Sequence, residues 1–327
     1  MKPQVYITRR IPQAAVDSIA AACDYAMWDS ADLPVPRDQL LAALSGVDGV
    51  LTMLTERVDA AFLAAAPRCR VVANMAGGYD NVDLAALNAR NVLLTNTPGV
   101  LTDTTADLVW ALMLAAARRI VEGHNLIVAG RWTTWSPMFM VGQEVSGATL
   151  GIVGAGRIGT AVARRASGFA MPIRYYNRRP APALEEQTGA RYCELDELLR
   201  TADFIVVLLP LTEETRGMFG AREFALMKPT AVFVNAARGP IVDEDALYNA
   251  LQQGRPGAAG LDVFTVEPVG AEHPLLSLPN VTAVPHIGSA TVATRIRMAT
   301  TAATNLVAAL TGRPVPNPVN PAVLPPT

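Results

Sequence analysis

The stretch TLGIVGAGRIGTAVARRA, residues 149–166, constrains the fold of this chain more than any other. A short apolar run enters GAGRIG, 154–159, and leaves as a segment of helical character. In a G-x-G-x-x-G turn, the first glycine permits the tight bend and the second lets backbone approach a pyrophosphate. The third lets the helix pack closely on the strand. The helix start then offers unpaired N–H groups and a positive dipole end to the phosphates. Such a pattern alone is weak, and a ligand-free glycine turn is the competing reading. The strand before and the helix after are the context the mechanism requires, so Gly154, Gly156 and Gly159 are expected to hold a dinucleotide.

The rest of the chain repeats that alternation. Strand-like QVYIT (4–8), GVLTML (49–54), RVVANMA (70–76) and NVLLTN (91–96) are separated by helix-like PQAAVDSIAAAC (12–23), RDQLLAALSG (37–46), DAAFLAAAP (59–67) and LAALNAR (84–90). A long helix is expected from about Asp103 to Val128. After the glycine turn come FIVVLLP (204–210), AVFVNAA (231–237), AGLDVF (259–264) and VTAVP (281–285), continuous apolar runs of the kind that fill central parallel strands. A last helix is expected within 291–312, and the proline-rich 313–327 along the surface. The fold class is therefore α/β, with two doubly wound parallel-sheet domains, only the second having the nucleotide turn.

Composition narrows the partners. At 327 residues, with 51% hydrophobic and 17% charged, the chain suits compact globular domains. Twenty-seven basic against 29 acidic residues leave −2, no electrostatic footprint for nucleic acid or an anionic membrane. Cys23, Cys69 and Cys193 form no metal or disulfide pattern and read as reduced thiols; no metal is expected. LVWALMLAAA, 108–117, is too short to span a bilayer, and the N-terminus lacks the pattern of a signal peptide. The expected location is cytoplasmic.

Beyond IRYY (173–176), where an NAD enzyme usually places an acid for the ribose hydroxyls, the chain reads Asn177-Arg178-Arg179. With no carboxylate to repel a 2′-phosphate and two guanidiniums to bind one, NADP(H) is favoured over NAD(H). The competing reading is a solvated pair of arginines.

Three later strand ends hold candidate reactive groups: NAARGPIVDEDAL (235–247), GLDVFTVEP (260–268) and PHIGSAT (285–291). Reducing a 2-oxo acid needs a cation for the carboxylate and carbonyl, a proton donor and a hydride. Arg238 suits the first and His286 the second. Glu267, hydrogen-bonded to His286, would favour imidazolium and keep the acid protonated near neutrality. Asp262 could accept from a nicotinamide carboxamide. His273 reads as a capping or packing residue, His124 as exposed, and Trp28 and Trp110 as packing groups.

With NMAGGYDNVDL (74–84), GVLTDTTADLVWALMLAAARR (99–119), GRWTTWSP (130–137), GIVGAGRIG (151–159) and LPLTEETRG (209–217), these motifs give the chain a resemblance to the D-isomer-specific 2-hydroxyacid dehydrogenases over nearly its whole length. Within the family it is most similar to the glyoxylate/hydroxypyruvate reductases. The resemblance implies Arg238, Glu267 and His286 as catalytic residues. It implies Gly77 and Gly78 N–H groups on the substrate carboxylate, with Leu54 lining the pocket. Thr105, Arg157, Ile158, Leu209, Pro210, Ala236 and Gly288 would contact the cofactor, alongside Arg238 and His286. Trp135 resembles a tryptophan that reaches the neighbouring subunit's pocket, implying a homodimer. It also implies a discontinuous, flavodoxin-like substrate domain, 1–98 with 290–327, around a Rossmann nucleotide domain, 99–289.

Two alternatives stay open. One is a reductase of 2-ketogluconate or another D-2-hydroxy acid. The other is a nucleotide-sensing binding protein like the corepressors that share the fold.

Overall fold

A computed structural model describes residues 1–324 and divides the chain into two compact units: Met1–Leu101 with the segment from Ser289 onward, and Thr102–Gly288.

In the first unit, β1 (Gln4–Ile7), β2 (Asp24–Met27), β3 (Gly49–Thr52), β4 (Val71–Asn74) and β5 (Leu93–Thr95) form a parallel sheet in the order β2-β1-β3-β4-β5. Helices α1 (Gln13–Ala22), α2 (Arg37–Ala43), α3 (Ala60–Ala65) and α4 (Leu84–Ala89) make the crossovers. This is the flavodoxin-like order. β3 and β4 are buried at every residue because helices cover both faces, which is why they read as unbroken apolar runs. β2 was not foreseen: as an edge strand, DYAM is mostly exposed and has no apolar run to reveal it.

The second unit opens with α5 (Thr102–Ala117) and α6 (Ile120–Val128), where the sequence suggested one helix over 103–128. The helix breaks because Ala117 O accepts from Gln143 N–H of the returning chain at 2.8 Å. Arg119 takes the left-handed conformation, φ 53°, and its guanidinium forks onto Glu122 at 2.7 and 2.9 Å. There follow β6 (Leu150–Val153), α7 (Arg157–Ala166), β7 (Ile173–Tyr176), α8 (Pro182–Thr188), β8 (Arg191–Tyr192) and α9 (Leu195–Thr201). Then come β9 (Phe204–Val207), α10 (Ala221–Leu226), β10 (Val232–Asn235), α11 (Glu244–Gln252), β11 (Ala258–Leu261) and β12 (Val281–Ala283). All seven strands are parallel, ordered β12-β11-β10-β9-β6-β7-β8, so the winding reverses between β6 and β9. Leu150 pairs with Phe204 and Val153 with Val207, so these two strands end level. In such sheets the ligand crevice lies there, outside the carboxyl ends.

Helix α12 (Val292–Leu310) returns to the first unit. Ala299, Ala302, Ala303, Leu306, Val307 and Leu310, at helical spacing, bury one face against α1 and β4. The proline-rich segment after it does more than lie along the surface. Val319 N–H bonds Leu94 O at 2.8 Å, and the buried Asn320 side chain accepts from Leu94 N–H at 2.7 Å, closing the free edge of β5. All three cysteines are free and buried, and burial pushes the Cys69 thiol up to about 12. No helix among the described residues is long and apolar enough to cross a membrane.

Candidate active site

The glycine turn sits at the reversal point. Gly154 has φ 110°, and a Cβ there would lie 2.7 Å from Leu208 O, so both conformation and space require glycine. A Cβ on Gly159 would run into Gly154 O, which is the close helix–strand contact expected of the third glycine. At Gly156, the N-cap of α7, a Cβ would meet nothing within 4 Å. No protein neighbour demands glycine there, so the space above the helix start suits an approaching pyrophosphate. The first turn of α7 contains no acid to compete. Arg157 is exposed there and Ile158 half-buried; Leu209, half-buried, and Pro210, exposed, follow β9 across the crevice.

After β7, Asn177 is half-buried and donates to Arg179 O at 3.1 Å, while Arg178 and Arg179 are exposed. One acid is nearby. Glu214, in the loop after β9, is held below the usual carboxylate range by the Thr212 hydroxyl, by backbone and, least, by Arg178. The sequence reading missed it because it lies 36 positions downstream.

At the other strand ends of the same sheet, Glu267 Oε2 lies 2.7 Å from His286 Nδ1, and Glu267 Oε1 accepts from Phe264 N–H at 2.9 Å. Burial pushes the Glu267 carboxyl up. The hydrogen bond from His286, the Phe264 N–H, and the charges of His286 and Arg238 outweigh it and hold the group below its ordinary value. With Nδ1 engaged, Nε2 is the ring nitrogen left to exchange a proton with a ligand.

His286 has φ 52°, a left-handed backbone stabilised from below by Asp262. Asp262 O accepts from His286 N–H at 2.8 Å. Its carboxylate accepts from Ile287 N–H at 2.6 Å and from Gly288 N–H at 3.0 Å. Burial pushes this carboxyl up despite those donors. Both oxygens are thus engaged in folding the His286–Gly288 turn, a duty the sequence did not reveal. The buried Thr105 secures the far end, its hydroxyl donating to Gly288 O at 3.0 Å.

Arg238 follows β10 and is half-buried, as is Ala236. The buried Asn235, also missed, accepts from Ala237 N–H at 3.1 Å and donates to Arg238 O at 3.0 Å. At Gly239 a Cβ would overlap the Phe264 carbonyl, so only glycine lets the arginine loop press against the loop leading to Glu267. His273 packs its ring on Phe264, centroids 5.5 Å apart, and makes no side-chain cap.

Leu54, Gly77 and Gly78 belong to the first unit, in the loops that follow β3 and β4. Leu54 is exposed and both glycines half-buried. A partly buried polar network holds these loops. Asn74 donates to Gly78 O and Asn81 Oδ1, both at 3.2 Å. Asn81 donates to Met53 O at 3.1 Å and Glu56 O at 2.8 Å. Trp135 lies beyond α6 and is 75% exposed.

Residues 110–288 match the family described as D-isomer specific 2-hydroxyacid dehydrogenase, NAD binding domain. The chain is 48% identical to a glyoxylate reductase of Thermococcus gammatolerans, over 98% of this chain and 96% of that one. It is also 48% identical to glyoxylate/hydroxypyruvate reductase B of Escherichia fergusonii, over 99% of each. Among solved structures, the NADPH-dependent glyoxylate/hydroxypyruvate reductase of Sinorhizobium meliloti, in complex with NADP and malonate, superposes with a TM-score of 0.85. That protein is 32% identical, and the match covers 100% of this chain and 99% of that one. The chain belongs to the D-isomer-specific 2-hydroxyacid dehydrogenase family.

Proposed function

We propose that the protein reduces small 2-oxo acids, glyoxylate and hydroxypyruvate, to 2-hydroxy acids with NADPH. The observation that carries this reading is the Glu267–His286 pair at 2.7 Å, on a turn folded around Asp262, in the sheet that holds the glycine turn. NADPH, bound by Gly154, Gly156, Arg157, Ile158 and Gly159 with Thr105, Leu209, Pro210, Ala236, Asp262 and Gly288, supplies the hydride. Arg178 and Arg179 hold its 2′-phosphate and Asn177 shapes their loop, which favours NADP(H) over NAD(H).

The chain's own residues do the rest. Gly77 and Gly78 N–H groups and Arg238 hold the substrate carboxylate, and Leu54 lines the pocket. The Arg238 guanidinium polarises the carbonyl. His286, protonated, donates from Nε2 to the carbonyl oxygen as the carbon accepts hydride, leaving a neutral imidazole and an alcohol. Glu267 orients the ring and stabilises its cationic form. In this reading residues 1–98 and 290–327 are the substrate domain and 99–289 the nucleotide domain.

A cytoplasmic homodimer completes the proposal. The dimer is supported by the exposed apolar surface of α6 and the stretch beyond it, where Ile127, Val128, Trp132, Trp135 and Met138 are all more than half exposed. Trp135 would reach the partner's pocket, so Trp135→Ala is expected to raise KM for the preferred 2-oxo acid.

The deciding experiment is a panel of glyoxylate, hydroxypyruvate, pyruvate and 2-ketogluconate, each with NADPH and with NADH. The reading requires glyoxylate or hydroxypyruvate with NADPH to give the highest kcat/KM. A large preference for 2-ketogluconate would replace the substrate. Nucleotide-dependent assembly without turnover of any 2-oxo acid would replace the enzyme by a binding protein.

A further inference from the structure

Three successive carbonyls in the loop after β4 are tied down by three separate donors. Ala76 O accepts from Thr97 N–H at 2.9 Å. Gly77 O accepts from Asn96 Nδ2 at 2.8 Å, and Gly78 O from Asn74 Nδ2 at 3.2 Å. Across a trans peptide the N–H points opposite to the C=O, and the peptides of this loop are not among the cis bonds found in the described residues. Fixing these carbonyls therefore fixes the N–H groups of Gly77, Gly78 and Tyr79, each pointing away from the donor that holds its peptide. None of the three donates to an acceptor among the described residues. A run of unpaired amide N–H groups on a rigid support is the chemistry of an anion receptor.

The support is itself immobilised. Asn74 is fully buried and its Oδ1 accepts from the Thr52 hydroxyl at 3.1 Å. Asn96 O accepts from the buried Asn305 of α12 at 2.9 Å.

We propose that Asn74 and Asn96 are positioning residues for the substrate carboxylate. They turn the Gly77 and Gly78 carbonyls aside so that three N–H groups, Tyr79 among them, face the anion. The inference rests on the 2-oxo acid reading and deepens it, assigning the specificity for a carboxylate to two asparagines that need not touch the substrate.

Asn96→Ala removes one donor and adds no charge. It should raise KM for glyoxylate about tenfold, the scale of one charge-assisted hydrogen bond, with kcat and the NADPH Kd little changed. Methyl glyoxylate, the uncharged ester, separates positioning from general damage: variant and wild type should reduce it with the same kcat/KM. Equal loss on acid and ester, or an unchanged KM for glyoxylate, overturns the inference.

A second measurement needs no variant and no turnover. In wild-type protein labelled with 15N-glycine and 15N-tyrosine and saturated with NADPH, oxamate should move the Gly77, Gly78 and Tyr79 amide protons downfield. Absence of those shifts overturns the inference even if glyoxylate is reduced. Their presence without turnover of any 2-oxo acid upholds it while the reductase reading falls.

Discussion

Each of the two sheets has a point where its winding reverses, and the two points have been filled differently. In the second unit the reversal between β6 and β9 holds a glycine turn and a helix whose first turn contains no acid. In the first, the reversal between β1 and β3 is occupied by the protein's own anion. Glu56, 4% exposed, accepts from the Thr8 hydroxyl at 2.6 Å, Met53 N–H at 2.7 Å and the Thr55 hydroxyl at 2.6 Å. Arg9 stands 3.7 Å away. The topology supplies a crevice in both cases; the residues decide whether it is left for a ligand phosphate or closed by an internal carboxylate.

The largest effect is expected from His286→Gln, which should lower kcat about 10²–10⁴-fold, the range for a lost general acid, while the NADPH Kd stays within twofold. Substantial surviving turnover would move the proton donor elsewhere. Next, Gly154→Val should weaken NADPH about ten- to a hundredfold, because it forces a branched residue to positive φ against Leu208 O. Fluorescence titration reads it.

Glu56→Gln tests the other crevice. The unfolding free energy in urea should fall by about 1–3 kcal/mol, because a buried set of charge-assisted hydrogen bonds is broken, with the NADPH Kd unchanged. A loss of NADPH binding without a loss of stability would erase the contrast between the two units.

A pH-resolved measurement sharpens the second unit. The Glu267 carboxyl is held below its ordinary value of 4.5 when folded, so its contribution to stability is complete above that value. It is lost as pH falls through the lower folded value. The stability gap between wild type and Glu267→Gln should still be open at about pH 5 and close in stronger acid; a gap already closed near pH 5 would contradict the assignment. The smallest effect concerns Glu214, whose charge opposes a 2′-phosphate at Arg178. Glu214→Gln should raise the NADPH-over-NADH preference about twofold, whereas Arg178→Ala should lower it about tenfold.

What the sequence disclosed follows physical lines. The central strands were legible because burial on both faces writes them as apolar runs. β2 and β8 were not, because edge strands need no such run. The glycine turn was legible from its flanking strand and helix. The break at Arg119 was not, since it depends on the distant Gln143 N–H capturing Ala117 O. The positioning residues were hidden for a common reason: a buried asparagine looks like any turn residue on paper. Yet a signal existed. VVAN, LLTN and VFVN each end an apolar run in asparagine, and Asn74, Asn96 and Asn235 each tie a carbonyl of a loop proposed to act on the substrate: Gly78 O, Gly77 O and Arg238 O.

Helix α12 has a consequence for the order in which the molecule is made. A ribosome would emit all five strands of the first unit, then the whole of 102–288, and only then the helix that buries one face of the first sheet. Until that moment the underside of β3 and β4 lacks its cover, while the second unit already has every strand of its own. Synthesis should therefore pass through a stage in which the later-made unit folds first, with the earlier one exposing apolar surface to any chaperone at the tunnel exit.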